Sequence, residues 1–168
     1  MKIIPTDLQR SLGRKISDFC PFSIAKNRGE NHCAHYVSHM MGYELPGATC
    51  KNATWNDKQK VARGATIRVN DLFGACHSKD LLSNKPTTLL ECLIFVTLNT
   101  NVSKNGGQLK MNTHPRKHVG ILHQGKVWNY SNSQNMVVAD SLAIFKKKFT
   151  AAYKTTGSQV EFYYGKFI

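Results

Sequence analysis

Two side chains in this 168-residue sequence are suited to act together chemically. One is Cys33, in Asn31-His32-Cys33-Ala34-His35-Tyr36-Val37, and the other is His118, in His118-Val119-Gly120-Ile121-Leu122. The first segment reads as the start of an amphipathic helix, where unpaired N–H groups and the helix dipole favour a thiolate. The second reads as the start of a β-strand, a rigid mount for a base that takes a thiol proton and later gives it to a leaving group. Asn31 is the expected N-cap, which puts Cys33 in the first turn. The competing reading of Cys33 is a small apolar residue packed on a sheet. Alternation along the strand sets His118 and Gly120 on one side and Val119 and Ile121 on the other. A base needs an orienting group. Asn129, in Val127-Trp128-Asn129-Tyr130, returns from a turn at Gln124-Gly125 to near the level of His118, and Asn132 is the fallback. The backbone N–H of Cys33 is the first expected oxyanion donor, and the Asn27 amide is a candidate for the second.

His32, His35 and His39 recur at i, i+3 and i+7 around the cysteine. That spacing can place them on one side of a helix, as a metal site would need. No HExxH motif and no nearby acidic fourth ligand accompany them, so His35 and His39 are expected on a solvated helix face with His32 near the mouth of the active site, and no metal or organic cofactor is implied. The five cysteines are widely spaced without a CxxC, which argues against a zinc knuckle. Cys92, within Glu91-Cys92-Leu93-Ile94-Phe95-Val96, reads as a buried strand residue. Cys50 and Cys76 lie in polar segments and are candidates for a disulfide, which would place the protein in an oxidising compartment.

The elements that must position these groups follow from periodicity. Thr6 and Gln9 have capping-box spacing, and Leu8, Leu12, Ile16 and Phe19 recur at helical intervals, predicting one opening helix that ends before Pro21. The cysteine helix runs to Gly42. Residues 47–88 read as a long irregular insertion with a short strand at Ala65–Val69 and a turn at Asn70-Asp71. Cys92–Leu98 predicts a central strand, and Gly106-Gly107 sits in a polar loop or loose hairpin. His118–Leu122 and Lys126–Tyr130 form a hairpin, Asp140–Phe149 a helix, and Gln159–Lys166 a last strand. Helices first and an antiparallel sheet afterwards is an α+β pattern in a single domain spanning residues 1–168.

Twenty-three Lys and Arg residues against ten Asp and Glu give a net charge of +13, which favours polyanionic partners. No nucleic-acid motif of defined spacing is present, although Phe162-Tyr163-Tyr164 could supply exposed aromatics on a sheet. No apolar run approaches the ~20 residues of a membrane span. The start, Met1-Lys2-Ile3-Ile4-Pro5, does not read as a secretory signal.

A helix-start cysteine, a His-Val-Gly-Ile strand and a polar residue on the next strand resemble the NlpC/P60 and CHAP branches of the papain-like superfamily. The resemblance covers residues near 28–43 and 91–132. His32 and Ala34 depart from it, because the family usually has Asp before the cysteine and Ser-Gly after it. It implies a papain-like fold with N-terminal helices packed on a central antiparallel sheet, and a catalytic set of Cys33, His118 and Asn129. The activity implied is hydrolysis of an amide bond in peptidoglycan peptides. The small, basic, signal-less form is similar to amidase effectors of type VI secretion, which act in the periplasm of a target bacterium. The expected substrate is therefore a peptidoglycan peptide, an inhibitory immunity protein is a possible partner, and a monomer is expected. Nucleic acid is not the expected partner. Two alternatives stand beside this reading: a cysteine protease or deubiquitinase-like enzyme, and a basic module binding nucleic acid or wall polymer without catalysis.

Overall fold

A computed structural model describes residues 8–58 and 63–168. Its helices are α1 (Leu8–Ser11), α2 (Cys33–Met41), α3 (Val69–Ala75) and α4 (Leu142–Tyr153). Its strands are β1 (Lys79–Leu81), β2 (Cys92–Leu98), β3 (Val102–Asn105), β4 (Gln108–Met111), β5 (Lys117–His123), β6 (Lys126–Ser131), β7 (Met136–Ser141) and β8 (Val160–Gly165). Six strands form one antiparallel sheet in the order β1-β8-β2-β5-β6-β7, and β3 pairs with β4 in a separate hairpin.

The period-two pattern of the sheet divides the core between its two faces. Leu93, Phe95, Val119, Ile121 and Trp128 face the layer that contains α2 and α3. Ile94, Val96, Val127, Phe162 and Tyr164 face the opposite layer, where Phe145 of α4 covers them. Every residue of β2 is buried, as its continuous apolar run predicts for a strand covered on both sides. The fold is thus α+β, with helices packed against an antiparallel sheet, α2 and α3 on one face and α4 on the other.

Several local expectations hold. The β5–β6 hairpin turns at Gln124 and Gly125, both at positive φ, and Gly106-Gly107 turns β3 into β4 in the same way. Gly42, at φ 62, caps the end of α2 in the left-handed conformation. Cys92 is buried within β2.

Others are overturned. The long opening helix does not form beyond α1; Gly13 leaves it at φ 73. The backbone of Gly13 and Arg14 then pairs with Val137, and a 3-10 turn follows at Ile16–Asp18. Bonding to the exposed edge of β7 replaces helical bonding. The Thr6 half of the expected capping box lies outside the described residues. Ala65–Val69 is not a strand; only isolated bridges join Leu45 to Gly64 and Thr49 to Thr66. Val69, Asn70 and Asp71 instead begin α3. Asp140 belongs to β7, and the following helix starts after Ser141, whose hydroxyl accepts from the Ile144 N–H at 3.2 Å. Phe162, Tyr163 and Tyr164 are buried, because β8 lies inside the sheet, so they offer no stacking surface for nucleic acid. Among the described residues, no helix is long and apolar enough to cross a membrane.

Candidate functional site

The start of α2 is organised by asparagines. The N-cap of α2 is His32 rather than the expected Asn31, and its side chain makes no capping bond; the Cys33 N–H still donates to Asn31 Oδ1 at 3.0 Å, which satisfies one orphan donor of the first turn. The Asn31 amide donates in turn to the Lys117 carbonyl at 3.4 Å, tying the helix start to the start of β5. The His32 N–H donates to Asn132 Oδ1 at 3.1 Å. Asn132 therefore anchors this helix rather than a catalytic imidazole. Asn27 is likewise engaged: its side-chain oxygen accepts from the Gly29 N–H at 3.0 Å, and its carbonyl lies 2.8 Å from His32 Nε2.

The Cys33 side chain is 1% exposed and faces the α2 side of the sheet. The backbone amides of Val119 and Ala34 are directed at its sulfur and favour the thiolate, as does the nearby Lys117 cation. Burial outweighs them and pushes the thiol up to about 11.

His118 points opposite to Val119, as alternation predicts, and the packing of α2 on the Val119 side leaves it on the face away from Cys33. Its ring stacks on Phe149 with centroids 4.3 Å apart, and Phe145 lies beyond at 6.0 Å. His118 Nε2 is 2.9 Å from Asn129 Oδ1. The Asn129 amide donates to the Val127 carbonyl at 3.2 Å, which fixes the oxygen toward the ring. Nε2 consequently carries the proton and Nδ1 holds the lone pair of a neutral base. Burial holds the imidazole down at about 4, against the smaller opposing effect of the Asn129 hydrogen bond. Structure thus brings His118 and Asn129 together. It places Cys33 one peptide away, against Val119, and no hydrogen bond joins its thiol to the His118 imidazole.

Gly120 is what lets Asn129 reach. The β5–β6 ladder ends at the pair of Ile121 with Trp128, and Gly120 lies against Asn129 just beyond it. A Cβ at Gly120 would sit 2.5 Å from Val127 Cγ1 and 3.0 Å from Asn129 Cβ. The glycine serves close approach of β6, and not access for a helix end.

Two cavities meet at Asn31. One, of about 250 Å³, is lined by His118, Asn129, Asn132, Lys148, Phe149 and Tyr153. The second, of about 300 Å³, is lined by Arg68, Val69, Asn70, Thr113, Pro115 and Lys117. Each carries basic side chains, consistent with the positive balance of the whole chain.

A second constellation lies on the far side of α2. Cys20, His35, His39 and Cys50 gather their ligand atoms within 4.8 Å of one another. His35 is fully buried and His39 half-buried, so they are not a solvated helix face. The i, i+4 spacing of the two histidines was visible in the sequence, but the cysteines that join them come from distant loops. The candidate Cys50–Cys76 disulfide is absent, and all five cysteines are free thiols. Cys76 packs against Gly165 and Phe95 beside the sheet, whereas Cys50 faces Cys20 and His35. The Cys20 thiol, His35 and His39 crowd the Cys50 sulfur and lower its pKa, while that of Cys20 is raised.

Comparison with known protein families, curated proteins and solved structures finds no match for this chain.

Proposed function

We propose that this protein is a cysteine amidohydrolase that cleaves an amide bond in cell-wall peptides. The observation that carries the reading is the buried His118–Asn129 hydrogen bond, which holds a neutral imidazole immediately beside the peptide that faces the Cys33 sulfur. Acyl transfer by a thiol needs a nucleophile, a base in the right tautomer and a group that fixes the base. Cys33, His118 and Asn129 supply these types in that order. The choice of a peptidoglycan peptide, and of a secreted antibacterial role, rests on the NlpC/P60 and CHAP resemblance; the basic cavities suit the carboxylates of such peptides.

This mechanism requires the His118 ring to leave its stack on Phe149 and swing past the Val119 peptide, so that Nδ1 reaches the Cys33 sulfur. Nδ1 of His118 takes the Cys33 proton as the sulfur attacks the scissile carbonyl. The Cys33 N–H exchanges Asn31 Oδ1 for the developing oxyanion. The C–N bond breaks as His118 returns its proton to the departing amine. Water, deprotonated by His118, then releases the acid and restores the thiol.

The test is mass analysis of soluble fragments from purified peptidoglycan treated with the wild type and with Cys33→Ala. Specific fragments from the wild type alone are the expected result. Equal fragments from the folded variant would refute the thiol mechanism, and intact peptidoglycan with cleavage of a denatured protein substrate would replace the wall assignment with a protease.

A further inference from the structure

We infer that Cys20, His35, His39 and Cys50 form a structural zinc site that locks α2 to the two segments packed on its outer side. This proposal is independent of the hydrolase reading.

The donor set is two thiols and two imidazoles, with no carboxylate among them. That composition suits zinc and disfavours the hard cations calcium and magnesium, which prefer oxygen. A tetrahedral zinc ion with nitrogens at about 2.0–2.1 Å and sulfurs at about 2.3 Å spaces its ligand atoms by about 3.3–3.8 Å. His35 Nε2 and His39 Nε2 are 3.2 Å apart, close to a tetrahedral edge, and all four ligand atoms fall within 4.8 Å. The i, i+4 placement puts both imidazoles on the same stripe of α2. Four protein donors fill a tetrahedron and leave no open position, which is the arrangement of a structural rather than a catalytic ion.

The hydrogen bonds around His35 supply an independent argument. His32 Nε2 lies 2.8 Å from the Asn27 carbonyl, which can only accept, so this nitrogen carries the proton. In the neutral ring His32 Nδ1 is then an acceptor. It lies 3.3 Å from His35 Nδ1, which must be the donor of that pair. His35 Nε2 is left as a bare lone pair directed at His39 and the two sulfurs. A ligating histidine characteristically donates its other ring nitrogen to an outer partner, and the Asn27–His32–His35 chain has that form.

The ion would join parts of the fold that regular structure connects poorly. Cys20 follows the 3-10 turn at Ile16–Asp18, and Cys50 belongs to the segment held by the isolated bridges at Leu45 and Thr49. α2 carries Cys33 at its start, so the site would brace the candidate nucleophile's helix from the face away from the sheet.

The test is elemental analysis of the full chain purified under reducing conditions without chelator, followed by Co²⁺ substitution. About one zinc per chain is expected. Cobalt should give the intense visible bands of a tetrahedral site, with thiolate-to-metal charge transfer in the near ultraviolet. Cys50→Ser should lose the metal, whereas Cys92→Ser, which alters a buried thiol on the other face of the sheet, should retain it. His32→Ala should weaken zinc binding about 10–100-fold, through loss of the outer partner. Failure of wild type to take up stoichiometric zinc or cobalt would overturn the proposal, as would a Cys20–Cys50 disulfide in its place. Retention of zinc by a folded Cys50→Ser protein would overturn the ligand set. If Cys50→Ser does not fold, the charge-transfer band of the wild-type cobalt protein decides.

Discussion

Substituting Gly120 with alanine tests the most tightly constrained contact beneath the candidate site. The added Cβ would lie 2.5 Å from Val127 Cγ1, 3.0 Å from Asn129 Cβ and 3.0 Å from the Trp128 carbonyl oxygen. None of these is the tip of a flexible side chain. Val127 is fully buried and β-branched, so its χ1 has little freedom, and the carbonyl moves only with its strand. β6 must therefore shift away from β5. Overpacking of this kind costs typically 1–3 kcal/mol, and the absence of a yielding atom places Gly120→Ala at about 3 kcal/mol. For a domain of this size, that corresponds to a fall in Tm of about 6–12 °C. The shift also draws Asn129 from His118, and a misplacement of about 1 Å at such a site can cost about 100-fold in rate. Urea and thermal melts of the wild type, Gly120→Ala, Val127→Ala and the double variant would check the argument. Val127→Ala removes the nearest obstacle, so the pair should be non-additive by about 0.5–3 kcal/mol in the direction of rescue. A Gly120→Ala protein melting within about 1 °C of wild type, or strict additivity in the cycle, would refute the crowding argument.

Two further outcomes follow from His118. Its folded pKa, about 4, lies below the ordinary 6.5, so between those values the unfolded chain binds a proton that the native state does not. Stability should be fully present above about pH 6.5 and fall as pH drops toward 4, by roughly 2–3 kcal/mol at about pH 4.5 from this group alone. Urea melts of wild type and His118→Gln across that range isolate the effect; equal pH dependence in both would contradict the buried neutral imidazole. Phe149→Ala removes the ring stacked 4.3 Å from His118 and opens the imidazole to water. NMR titration should then place the His118 pKa closer to 6.5, and an unchanged value would mean that Phe149 does not exclude solvent.

Much of the scaffold was legible because local rules and tertiary packing agreed. β2 announced itself as an unbroken apolar run, and it is buried on both faces. The β5–β6 hairpin followed from alternation around Gln124-Gly125, which also put Asn129 near His118. Gly42 stopped α2 where the sequence placed the end. Misreadings arose where a distant segment overrode a local pattern. Leu12, Ile16 and Phe19 kept helical spacing, yet the edge of β7 captured the backbone at Gly13 and Arg14. Residues 136–139 of β7 carry too weak a pattern to predict a strand, and its last two residues, Asp140 and Ser141, read as helix although Ser141 is the cap of that helix.

The chemistry divides in the same way. Sequence by itself determined the hairpin that carries the imidazole and its amide, and the helix that starts at Cys33, because each depends on neighbours within a few residues. Only the tertiary structure decided that His118 lies on the opposite face of the sheet from Cys33, walled in by Phe145 and Phe149. It also decided that Cys50 meets Cys20, His35 and His39 instead of Cys76. A contact between segments far apart in sequence depends on how helices and loops pack around the sheet, and periodicity along one segment carries no record of which partner arrives from another.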